Sequence, residues 1–156
     1  EGILECLPQR GYRRVDYSNT TNRTCYTVRF AIESEAARLA CERAGREDIL
    51  RLMLIVDEAE AVLESGEIEK FPRLDGDFHR ALVHASHDNM LKKLFSFIYI
   101  PTACKEVVRE YAVDSHSKHK KIFDAVRRHD AVEAVEAVRI HIGLGGNEDF
   151  FMVGQK

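Results

Sequence analysis

The chain has 156 residues, 45% of them hydrophobic and 31% charged, with a formal net charge of -3. That length makes one domain with a proper core, and that composition excludes a disordered chain. Near-neutral charge excludes a whole-surface attraction to nucleic acid or anionic lipid, although a local basic patch is compatible with it.

No apolar run approaches the roughly 18 residues of a membrane span, and the start, EGILECLPQRG, lacks the form of a signal peptide. Cys6, Cys25, Cys41 and Cys104 show no C-x-x-C spacing, which reads as a cytoplasmic protein with reduced thiols. NTT (19–21) and NRT (22–24) match the glycosylation sequon but carry no weight without a secretory signal.

Residues 3–17 (ILECL, PQRG, YRRVDY) predict strand, turn and strand, with Pro8 and Gly11 placed for the turn and Arg10, Arg13 and Arg14 making the hairpin basic. A hairpin alone is not a stable unit, so it belongs against something larger. Residues 18–23 then read as a linker ending in a helix cap.

From Thr24 onward the pattern is helical. Val28, Ile32, Ala36 and Leu39 form one stripe, and Ile49, Leu52, Met53, Val56, Ala59 and Leu63 the next, punctuated by Gly45 and Gly66. A third helix runs from about Pro72 to Ser86, with proline in its first turn. An apolar segment from Met90 to about Tyr99 follows, interrupted at Pro101. Helices over roughly 102–112, Ser115–Arg128 and 131–142 complete the run, and GLGGNEDFF opens a tail. The expected fold is an all-α antiparallel bundle of six or seven helices after a short hairpin.

Several polar residues face the wrong way for a plain bundle. At about 100° per residue, Asp75 and His79 fall about 40° apart at the edge of the apolar face formed by Leu74, Phe78 and Leu82. His84 and His87 point outward. On the Ser115–Arg128 helix, His119 lies among Ile122, Phe123 and Val126, with His116 on the flank. On the last helix, Ala131, Val135, Val138 and Ile142 define the core, with His141 at its inner edge and Glu133, Glu136 and Arg139 outside.

A lone histidine of this kind is most often a satisfied core residue. A set of three imidazoles and one carboxylate is different, because a buried aspartate needs a compensating cation. Neutral imidazole with carboxylate is a common divalent-metal set, and i, i+4 spacing lets one helix supply two ligands.

These segments also carry a resemblance. DGDFHRALVHASHDNMLKKL resembles the D-x-x-F-H segment of the FCD domain in the FadR branch of GntR-type bacterial transcription regulators. HSKHKKIFDAVRRHDAVEAVEAVRIHI is similar to that family's pair of C-terminal helices, with His141 22 positions after His119, and VRFAIESEAARLACERAGREDI to its first helix. The likeness covers about residues 24–142.

The resemblance implies a helical bundle, not an enzyme, that binds a small organic acid beside a divalent metal. Asp75, His79, His119 and His141 match the metal positions. Zinc is the first candidate, with nickel and manganese behind it. Keeping this set argues against an acyl-CoA ligand, since fatty-acyl-responsive members lack it. Arg29 matches an arginine that can face the ligand, the alternative being a surface ion pair with Glu33.

EGILECLPQRGYRRV resembles the wing of the family's winged helix-turn-helix, with Arg10 and Arg13 as phosphate contacts. The helices that should precede the wing are absent from these 156 residues, so operator DNA is a partner of the full-length protein only. A homodimer is implied, and no membrane partner. Two other classes stand beside this reading. A metal-dependent hydrolase or isomerase needs a base near the ion, yet there is no H-E-x-x-H and no E-x-x-H. A helical interaction module would use its histidines only structurally.

Overall fold

A computed structural model describes residues 4–7, 11–14, 21–98 and 109–143, with side chains described for 26–98 and 109–143. Strands β1 (Leu4–Leu7) and β2 (Gly11–Arg14) pair antiparallel, Leu4 opposite Arg14 and Leu7 opposite Gly11. Six α-helices follow among the described residues: α1 (Thr21–Arg43), α2 (Arg46–Ser65), α3 (Phe71–Ala85), α4 (Asn89–Ile98), α5 (Arg109–Arg127) and α6 (Ala131–His141). A short 3-10 turn, Ile68–Lys70, leads into α3. Helix α1 begins at Thr21, inside the stretch read as linker.

Local chemistry sets the boundaries. Gly45 is extended before α2, and its N–H donates to the Asp48 carboxylate at 2.9 Å. Gly66 ends the same helix in the left-handed conformation, φ 81°, which glycine adopts without a Cβ clash. The two His-Asp pairs are one device used twice. His87 (φ 52°) and His129 (φ 59°) take the left-handed turn that a bulky residue normally resists. Each is tied down by its ring, His87 to Asp48 and His129 to the Cys41 carbonyl, both at 2.7 Å. The following aspartates then cap the next helices, Asp88 accepting from the Met90 and Leu91 amides and Asp130 from the Glu133 amide.

Helix α1 packs on α6 and α3, α5 on α6 and α2, and α2 on α3, which closes a five-helix bundle; α4 lies on α1 and α3. The main core joins Ala37 and Ala40 of α1, Leu52 and Val56 of α2, Phe78 and Leu82 of α3, Ile122 and Val126 of α5, and Val138 of α6. A second cluster gathers Ala59, Val62 and Leu63 of α2 with Phe71 and Leu74 of α3 and Ala112 of α5. Each large apolar side chain fully buried here contributes about 1.5–3 kcal/mol.

Four expectations need correction. The segment 109–127 is one helix, with no break near 112–115; 102–108 lies outside the described residues. Asp114 and Ser115 resemble a cap, but with no Gly or Pro beside them the helix runs through. Asp114 pairs with Lys118 one turn on, and Ser115 turns inward. Val28 and Met53 are exposed rather than core. The inner stripe of α6 is Ala134, Ala137 and Val138, because small residues let it sit close to α1 and α5; Ala131 and Val135 are half-buried. His116 is buried, not flanking.

Candidate metal centre

A layer of polar side chains lies where the two apolar clusters meet. Along α3 the sequence passes from Phe71 and Leu74 through Asp75 and His79 to Ala81 and Leu82. Along α5 it passes from Ala112 through Ser115, His116 and His119 to Ile122. Helical spacing delivers each group inward: Asp75 and His79 one turn apart on α3, His119 from α5, and His141 from the last turn of α6. His79 is fully buried, Asp75 and His119 nearly so, and His141 half-buried.

The four donors converge to within 4.8 Å of one another. The three imidazole Nε2 atoms form a triangle: His79 to His119 3.3 Å, His119 to His141 3.3 Å, His141 to His79 3.0 Å. The Asp75 Oδ1 oxygen stands 3.6 Å from His119 Nε2 and 4.0 Å from His79 Nε2. Ligands about 2.0–2.1 Å from a tetrahedral ion are about 3.4 Å apart, so the nitrogen triangle is close to the size an ion needs.

Sequence reasoning missed Glu33. It reads as the outer half of an i, i+4 pair with Arg29, yet it is completely buried on α1. Its carboxylate takes the Arg29 guanidinium on one oxygen and faces His79 Nδ1 at 2.6 Å with the other. Burial pushes the Glu33 carboxyl up, but His79 and Arg29 outweigh it and lower it to about 2. As an anion Glu33 only accepts, so His79 Nδ1 donates and, in the neutral ring, its Nε2 lone pair points at the triangle.

His119 and His141 are held neutral, well below the ordinary histidine range, by burial first and then by neighbouring histidines. With His79 Nε2 bearing no hydrogen, protons on the other two rings satisfy at most two of the three N···N contacts. A cation accepting three lone pairs satisfies all three at once. The donor set therefore fits a divalent ion.

Neighbouring groups fix the donors. Ser115 Oγ donates to Asp75 Oδ1 at 3.0 Å, and the Phe78 ring stacks on His119 with centroids 4.2 Å apart and planes 19° apart. Arg29 is partly buried on α1, its ion pair directed at a buried carboxylate and not at the surface. Arg13 lies on β2 with only its backbone described, and Arg10 lies outside the described residues. His84 is exposed, as its helical phase requires, and His87 is exposed in the turn after α3. A groove of about 470 Å³ between α2 and α3, lined by Leu50, Arg51, Leu54 and Arg80 among others, includes none of the cluster residues.

The FCD domain model matches residues 24–144, a span that contains every member of the cluster. The chain belongs to the FCD family of GntR-type regulators. Among its relatives this FCD domain is 32% identical over 123 residues to the transcriptional repressor NanR of Escherichia coli K12, covering 74% of this chain and 45% of NanR. It is 24% identical over 148 residues to the HTH-type regulator YdhC of Bacillus subtilis, covering 90% of this chain and 65% of YdhC. The chain thus spans under two thirds of these relatives.

The fold is shared with E. coli McbR/YncC, at TM-score 0.75 and 14% identity, over 90% of this chain and 69% of that one. It is also shared with the metal-free FCD domain of TM0439, at TM-score 0.64 and 23% identity, over 78% and 85% respectively. No helix among the described residues is long and apolar enough to cross a membrane.

Proposed function

We propose that this FCD domain is the ligand-sensing part of a bacterial, cytoplasmic transcription regulator, holding a divalent metal on Asp75, His79, His119 and His141 and a small organic acid beside it. The observation that carries the reading is the convergence of three imidazole Nε2 atoms and one carboxylate, with Glu33 behind His79 at its Nδ1. A divalent ion bound there, zinc first and nickel or manganese after it, supplies a Lewis-acidic anchor for a ligand carboxylate.

The protein's own part is orientation and charge. Ser115 holds Asp75, Glu33 and Phe78 fix two of the rings, and Arg29, paired with Glu33 on α1, is the cation assigned to the acid. The donors come from α3, α5 and α6, so an acid bound among them couples three helices. In a homodimer that coupling alters the spacing of two DNA-binding heads and with it operator affinity. The hairpin Leu4–Arg14 is the wing of that head, with Arg10 and Arg13 on phosphates. This role is non-catalytic, in keeping with relatives named as transcriptional regulators.

The test is a thermal-shift titration of metal-loaded and chelated chain with acetate, L-lactate and citrate. At least one acid should raise the melting temperature of the loaded chain, by an amount that grows with the logarithm of ligand concentration above its Kd, and none should raise that of the chelated chain. Equal shifts with and without metal, or no shift from any of the three, would overturn the reading.

A further inference from the structure

The polar layer holds one imidazole that the metal cluster does not use. His116 is 6% exposed, yet neither of its ring nitrogens has a hydrogen-bond partner among the described residues. Buried polar groups are almost always paired, so an imidazole with both nitrogens open calls for an explanation.

It stands one helical turn before His119 among the buried residues of α5, close enough to α2 for Glu60 to act on it. Residues three apart on a helix have side chains about 5–6 Å apart, the length of a short carbon chain. Among the described residues, the charged groups that act on His116 are Glu60 of α2 and Lys120 of α5, and these pair with each other at 2.9 Å. Lys120 is thus already engaged and is not offered to a second carboxylate. Burial also lowers the His116 pKa, which favours the neutral ring with one donor and one acceptor.

We propose that His116 is a specificity-determining residue of the effector site, hydrogen-bonding a hydroxyl group on the chain of an acid whose carboxylate is held at the metal cluster. The ligand class it selects is a hydroxylated monocarboxylic acid, with the hydroxyl three or four carbons from the carboxylate, over the plain fatty acid or the dicarboxylic acid of the same length. This inference rests on the metal-and-acid reading above.

The probe pair is 4-hydroxybutyrate and butyrate, titrated by calorimetry into the metal-loaded chain, with succinate as the dicarboxylic control. The native chain should bind 4-hydroxybutyrate roughly 3- to 10-fold more tightly than butyrate, the worth of one neutral hydrogen bond, and succinate no more tightly than butyrate. His116→Ala should bring the hydroxy to plain ratio to within about twofold, with metal content unchanged, and His116→Gln should restore part of the preference.

A native chain that shows no hydroxyl preference, whether it binds both acids or neither, overturns the proposal. The native comparison decides the matter even where a variant folds poorly. Metal content separates the two failures: a loaded chain that binds butyrate without preference keeps the metal-and-acid reading and loses only His116, whereas a chain without metal loses both.

Discussion

Two stretches of α5's buried face contain opposite chemistry. Toward its C-terminus the helix buries Ile122, Phe123 and Val126 among apolar side chains, and in its middle it buries Ser115, His116 and His119. Apolar burial is favourable in itself, while polar burial is a cost unless each group finds a partner. The first half of the contrast explains why the chain folds. The second is a standing expense that folding does not require, and such groups concentrate where a protein binds something.

Substitutions should separate the two halves. The largest stability loss is expected in the apolar half, where Ile122→Ala should cost about 2–5 kcal/mol in denaturant unfolding and leave metal content per folded chain unchanged. If metal and stability fall together in that variant, the halves are not separable. Behind the histidine cluster, Glu33→Gln keeps shape but removes the charge that faces His79. Metal affinity, measured by competition with a chromogenic chelator, should drop about 10- to 100-fold; unchanged affinity would reduce Glu33 to an ion-pair partner of Arg29.

Acidification of the chelated chain probes the polar half alone. His119 and His141 are held neutral in the fold, below the ordinary value of 6.5. As pH falls past that value the unfolded chain takes up these protons and the folded chain does not. Their contribution to the melting temperature should be level above about pH 6.5 and decline below it. A melting temperature that stays constant from about pH 7.5 to about pH 5 would contradict buried neutral rings. The smallest effect belongs to Asp130→Ala, which removes the cap of α6 for about 1 kcal/mol and should not change metal content, since the cap lies a whole helix from His141.

The same contrast explains what could be read from the sequence. Asp75, His79 and His119 were legible because each sits on a helix whose apolar neighbours, Phe78 and Leu82 or Ile122 and Phe123, fix the phase. Glu33 was not, because a glutamate one turn after an arginine has the spacing of a solvent-exposed pair. Only the neighbouring helix, carrying His79, reveals that it is buried. The inner stripe of α6 was misassigned because alanine adds little to a hydrophobic pattern, yet Ala134 and Ala137 are what close packing selects. The residues VDS at 113–115 read as a break between two helices because Asp and Ser favour caps, and the inward serine became meaningful only beside Asp75.

The most direct test is the metal content of the purified, untagged chain, measured by elemental analysis before and after chelation, beside His119→Ala. The account predicts about one divalent ion per chain, removed by chelator, restored by zinc and absent from the variant. A chain that holds no ion and takes up none when zinc or nickel is offered, or a variant that binds as well as the native chain, would contradict it.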